Sequence, residues 1–224
     1  MKLIDLRLCI LASWLAACAP MKQPETSPRV NDLAARLSSV RWPDMATGLA
    51  MDPQVTAIWS EFPEAGLYAA LVEDPQRALP VRFAAALVLR SKNAEQLKHT
   101  DPTAVAQVFA AALQHDLAGY AYPWGWLWAP GDTLGFLGPV FIDIGRPAIG
   151  PLSALLDDTT TRDTYLGSEE ATEMAMRCYR VKDFAAFYLA KSLHLDLPWE
   201  PDLARRDRAI ARLRTQLPAD PPAK

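Results

Sequence analysis

Gly66-Leu67-Tyr68-Ala69-Ala70-Leu71-Val72-Glu73-Asp74 returns 84 residues later as Gly150-Pro151-Leu152-Ser153-Ala154-Leu155-Leu156-Asp157-Asp158. Glycine, alanine, two aliphatic residues and an acidic pair stay in register. A second match follows at an offset of 100, where Val81, Arg82, Ala85, Ala86 and Leu89 align with Val181, Lys182, Ala185, Ala186 and Leu189. Each copy reads as a helix, a break and a second helix, and the later copy carries 16 extra residues in its break. Apolar residues recur at helical spacing both inside the copies (Val81, Ala85, Val88, Leu89) and between them (Val105, Val108, Phe109, Leu113). Only one stretch alternates with period two, so the chain is expected to be all-α.

Prolines mark the breaks. Several follow an aspartate, among them Asp52-Pro53, Asp74-Pro75 and Asp101-Pro102. Aspartate is a good N-cap and proline at the first helical position gives up no hydrogen bond, so all three are read as helix starts. The expected layout has short helices near 31–40 and 53–60, the first repeat, a helix at 102–115, a long loop, the second repeat and a closing helix at 202–216. In the last of these, Arg205, Arg206, Arg208, Arg212 and Arg214 surround an apolar seam of Leu203, Ile210, Leu213 and Leu217. That is the pattern of a terminal cap with one solvated face.

The paired helices resemble the HEAT-type repeat. Its first helix has the look of Ala148 to Asp157 and its second that of Val181 to Ala186; the likeness is good over 63–91 and 145–195 and weak between. The resemblance implies stacked helical hairpins forming a right-handed α-α superhelix, with two long loop insertions. A lone hairpin cannot bury its apolar side, so neighbours share one core. Such stacks serve mainly as extended binding surfaces.

At the N-terminus, Lys2 and Arg7 precede an apolar run from Leu8 to Ala17 that stops at Cys18. The run is about half the roughly 20 residues a membrane span needs, which makes it a secretory signal. Leu15-Ala16-Ala17-Cys18 resembles the bacterial lipobox. The resemblance implies cleavage after residue 17, acylation of Cys18 and, since Ala19 is not aspartate, an outer-membrane destination facing the periplasm. Pro20, Pro24 and Pro28 lie among polar residues up to Val30 and read as a tether. The organisation expected is thus a signal peptide at 1–17, a lipidated N-terminus and tether at 18–30, a helical domain at 31–217 and a disordered tail at 218–224.

The formal net charge is −3 and no basic block occurs, so nucleic acid is not an expected partner. Catalytic signatures are also missing. There is no G-x-S-x-G, P-loop, H-E-x-x-H or C-x-x-C, and His99, His115 and His194 are far apart. No enzyme activity, cofactor or metal is expected.

Two insertions stand out. Gly119 to Phe136 contains Tyr122, Trp124, Trp126 and Trp128 at alternate positions, which would share one face of an extended segment. Such a face can stack on sugars, clamp peptides or meet a membrane interface; equally it can wrap over the domain and plug the junction between the repeats. Thr159 to Cys178 carries Tyr165, Glu169 and Glu170. These either project as a binding edge or are answered by Arg180, Lys182 and Asp183 immediately downstream. The function expected is a membrane-anchored periplasmic scaffold that binds the lipid bilayer through acylated Cys18 and another envelope protein through these insertions. The alternative is a glycan-binding or glycan-processing envelope protein using the aromatic loop 120–136.

Overall fold

Val30, Leu33, Ala34 and Leu37 recur at the spacing of one helix face. In the computed structural model they are buried along α1, Pro28–Ser38. The structure describes residues 27–40, 53–115, 138–161, 176–198, 200 and 202–218. Among these, the fold is all-α, with a single antiparallel bridge between Thr161 and Arg180, and no helix is long and apolar enough to cross a membrane. The first helix starts at Pro28 and not near 31, so residues 28–30, expected within a tether, are helical. Pro28 sacrifices no amide there, and the Ser27 carbonyl accepts from the amides of Val30 and Asn31 at 2.9 and 3.3 Å.

Helices α2 (Pro53–Glu61), α3 (Ala65–Glu73) and α4 (Leu79–Lys92) follow. Trp59 stacks on Tyr68 at 5.5 Å, and the Tyr68 hydroxyl donates to the Ile58 carbonyl at 3.3 Å. Asp74-Pro75 does not start a helix. Asp74 ends α3 instead, its carboxylate accepting from the Gln76 amide at 2.9 Å and from Arg77 Nε at 3.1 Å. A helix running on from Pro75 would place Pro80 in its interior, at about 3 kcal/mol; starting at Leu79 puts that proline in the first turn. Asp101-Pro102 behaves as expected, with the Thr103 amide donating to the Asp101 carboxylate at 3.0 Å.

The second copy is built differently at its start. Helix α7 (Gly138–Ile144) breaks at Gly145, whose φ of 67° suits glycine, and a 3-10 turn at Arg146–Ala148 leads into α8, Ile149–Ser153. Beyond it the chain tightens, with Leu155 and Leu156 amides bonded to the carbonyls three residues back, at 3.1 Å each. Leu155 and Leu156 are nonetheless buried, as are Leu71 and Val72 in the first copy. The shared glycines have no packing role, since a Cβ at Gly66 or Gly150 would meet nothing within 4 Å.

Two helices are buried on nearly every side, as expected of central elements. They are α4, buried from Phe83 to Leu89, and α9 (Val181–Ser192), buried from Asp183 to Ala190. Between them lie α5 (Ala94–His99), capped by Asn93, and α6 (Pro102–His115), which packs against α3 and α4 on one side and α8 on the other. The sequence pattern anticipated neither α5 nor α7; both are too short to show a period. A chain of rings crosses the junction: Phe83 to Phe109 at 5.5 Å, Phe109 to Phe141 at 6.3 Å, Phe141 to Tyr188 at 5.2 Å. Each such pair contributes about 0.5–1.5 kcal/mol beyond its buried area. Helix α10 (Leu203–Gln216), capped by Asp202, closes the stack against α9.

Candidate functional site

Where α4, α5, α6 and α7 meet, a cleft of about 260 Å³ opens to solvent. Its floor is apolar, formed by Leu97, Val105 and Val140, all buried, with Ile144 half-buried beside them. The rim carries Ala94, Lys98, Pro102 and Asp143, all exposed, and Arg90 lines one wall, half-buried. Burial lowers the Arg90 guanidinium from its ordinary value while the Asp143 carboxylate opposes that shift. Arginine stays charged regardless. Lys98 bonds Glu95 at 2.7 Å on the open surface, and Asp143 also acts on it. Exposed pairs of this kind are weak and exchange readily.

A second concentration of charge locks α10 onto α9. Asp183, fully buried, accepts from the Arg180 backbone amide at 2.9 Å, from Arg180 Nε at 3.1 Å and Nη2 at 2.9 Å, and from Arg206 Nη1 at 2.9 Å. Arg206 also donates to the Arg177 carbonyl and lies 4.9 Å over the Tyr179 ring. Asp207, half-exposed, takes Arg180 and Lys182 at 2.8 Å each. Hydrogen bonds from Arg180, and then from Lys182, hold the Asp207 carboxyl down at about 2.

This cluster corrects one expectation, that the arginines of the closing helix all lie on a solvated face. Arg180, Lys182 and Asp183 are engaged by Arg206 and Asp207 of the closing helix, which lies against them, while Glu169 and Glu170, the carboxylates expected to meet them, lie outside the described residues. Arg206 is not part of a solvated face, being 2% exposed, whereas Leu203 of the expected seam is 42% exposed. The buried side of α10 is Arg206, Ala209, Ile210 and Leu213. Periodicity places an arginine on a face but cannot say that a carboxylate waits opposite.

The other sequence-derived candidates, Cys18, Tyr122, Trp124, Trp126, Trp128, Tyr165, Glu169 and Glu170, lie outside the described residues. Of the residues lining the cleft, Pro102 and Val105 stand out in the sequence, as a helix start and part of a helical period and not as a site; Arg90, Lys98 and Asp143 sit on three different helices and share no motif. Among the described residues, no group of His, Cys, Asp and Glu side chains could hold a metal ion. Compared with models of protein families, with curated proteins and with solved structures, the chain matches none of them.

Proposed function

We propose that this chain is a lipid-anchored, outer-membrane protein of the bacterial envelope, whose helical domain, of HEAT-like hairpins, serves as a protein-interaction scaffold in the periplasm. The observation that carries the reading is Leu15-Ala16-Ala17-Cys18 closing a short apolar run, followed by a proline-rich stretch leading to a helical domain. Acyl chains on Cys18 together make a stable anchor where one alone would be marginal. Arg180, Asp183 and Arg206, buried charges among the described residues, pair with one another, which leaves them a structural role.

Labelled palmitate fed to expressing cells tests the anchor. The chain is expected to carry the label and sediment with membranes, and Cys18→Ser to abolish both. A wild-type chain that stays unlabelled ends the proposal. The scaffold role is tested by in-cell cross-linking of the anchored protein. A specific envelope protein should be captured, and simultaneous replacement of Trp124, Trp126 and Trp128 by alanine should abolish capture while the helical circular dichroism is retained. Undiminished capture would remove the aromatic insertion from the interface.

A further inference from the structure

We infer that the outward face of α10 docks on the surface of a bilayer containing anionic phospholipid. The inference rests on the proposed acyl anchor for the nearness of a bilayer, and on the residues of α10 for the contact itself.

Charge comes first. Arg205, Arg208 and Arg212 stand at i, i+3 and i+7, which places them within about 60° of arc on one helix. All three are exposed, clear of the side that buries Ala209, Ile210 and Leu213. Nearby carboxylates are engaged elsewhere. Asp202 caps the helix by accepting from the Arg205 backbone amide at 2.9 Å, and Asp207 is turned toward α9, where it takes Arg180 and Lys182 at 2.8 Å each. Arg205 keeps only a loose, exposed pair with Glu200 at 3.7 Å, of the kind that exchanges readily. Arg208 and Arg212 have no ion-pair partner among the described residues.

Folding does not account for that last pair. Two like charges one turn apart on a helix repel and weaken it. An anionic surface turns the repulsion into attraction. Beside the arginines, Ala204, Ala211 and Thr215 are also exposed, so short side chains leave nothing bulky between the helix and a flat partner. The guanidinium forks match phosphate oxygens with paired hydrogen bonds. From Arg205 to Arg212 the stripe runs about 10 Å along a convex helix. A bilayer presents phosphates across a plane at every register, so this spacing needs no partner of matching shape.

Position adds a consequence. The stretch leading from Cys18 joins α1, which packs against α3 and α4, whereas α10 packs against α9 at the other end of the stack. An anchor at one end and a cationic face at the other lay the domain along the bilayer instead of leaving it upright.

The test is co-sedimentation of residues 19–224, which keep every described helix and lack both the apolar signal run and the acylated cysteine, with vesicles at about 5 mM lipid. Salt of about 0.1 M screens charges more than about 10 Å away, so the negative charge of the rest of the chain counts little. With vesicles of phosphatidylglycerol about a third of the chain should pellet, from a gain of about fivefold per arginine, and with phosphatidylcholine almost none. Arg208→Gln combined with Arg212→Gln should lower the partition coefficient about 25-fold with an unchanged melting temperature, and about 1 M salt should release the parent chain. Taking the same charge from α1, by Arg29→Gln with Arg36→Gln, should change binding less than about twofold. The inference is overturned by no pelleting on phosphatidylglycerol, by equal pelleting on phosphatidylcholine, by pelleting that survives the paired α10 substitution, or by capture on polyglutamate with none on vesicles, which would assign the face to an acidic protein. Palmitate labelling reports the anchor separately: a labelled chain whose residues 19–224 do not pellet keeps its anchor and loses this inference, and pelleting by a chain that takes no label does the reverse.

Discussion

Position 83 in α4 and position 183 in α9 are aligned by the sequence offset of 100, and both are fully buried. In α4 the slot holds Phe83, which meets Phe109 edge-on. In α9 it holds Asp183, enclosed by Arg180 and Arg206. One backbone arrangement thus accepts either an aromatic ring or a carboxylate, provided the neighbours match. The difference follows the connections. The first hairpin is joined by residues 74–78, and Arg82 closes it with two hydrogen bonds to the Val72 carbonyl, at 3.0 and 2.8 Å. The second is joined by residues 154–180, a link about five times as long whose closure costs about 1.5 kcal/mol more. There Lys182, the counterpart of Arg82, reaches forward to Asp207 and helps fix the closing helix. A short link holds its hairpin by connectivity; a long one leaves it to specific pairing with a third helix.

Exchanging the slots is the most severe way to break this comparison. Phe83→Asp places a fully buried carboxylate against the Phe109 ring, and a loss above about 5 kcal/mol is expected, seen as an unfolded circular-dichroism spectrum at room temperature. Asp183→Ala comes next. It leaves Arg180 and Arg206 buried without their shared partner, which should cost about 3–5 kcal/mol in the urea midpoint. Combining Asp183→Leu with Arg206→Leu should recover most of that loss, because removing both charges also removes their desolvation. Failure to recover would mean that the cluster contributes net stability and not only mutual neutralisation.

Smaller effects sharpen the contrast. Arg82→Ala should cost about 1–3 kcal/mol by leaving the Val72 carbonyl without its donor, whereas Lys182→Ala, which removes a pair to the half-exposed Asp207, should cost about 1 kcal/mol. The last test is acid. Because the folded Asp207 carboxyl sits at about 2, below its ordinary 3.8, its contribution is present above the ordinary value and disappears as pH falls through about 2. Stability measured by urea titration should decline between those two values, and Asp207→Asn should flatten part of that slope. An unchanged slope would show that Arg180 and Lys182 hold α10 without it.

Much of the fold was legible before any coordinates. The 102–115 and 202–216 periods became α6 and α10 within a residue of their expected bounds, and 53–60 became α2. Asp74-Pro75 was misread because a local start signal ignores Pro80 five residues on. The cleft was invisible for a different reason. Arg90 looks like an ordinary residue near a helix end, Lys98 like half of a surface pair, and Asp143 like the polar position of a short helix; only the crossing of four helices brings them to one mouth.

The all-α character and the longer helices came from the residues alone, because those depend on side-chain spacing along the sequence. The partner of each buried charge and the existence of a cleft came from the packed structure, because they depend on which helices lie side by side. Periodicity is blind to that. Asp183 and Phe83 fit the same helical pattern, and the arginine on α10 is what makes a carboxylate tolerable at one of them.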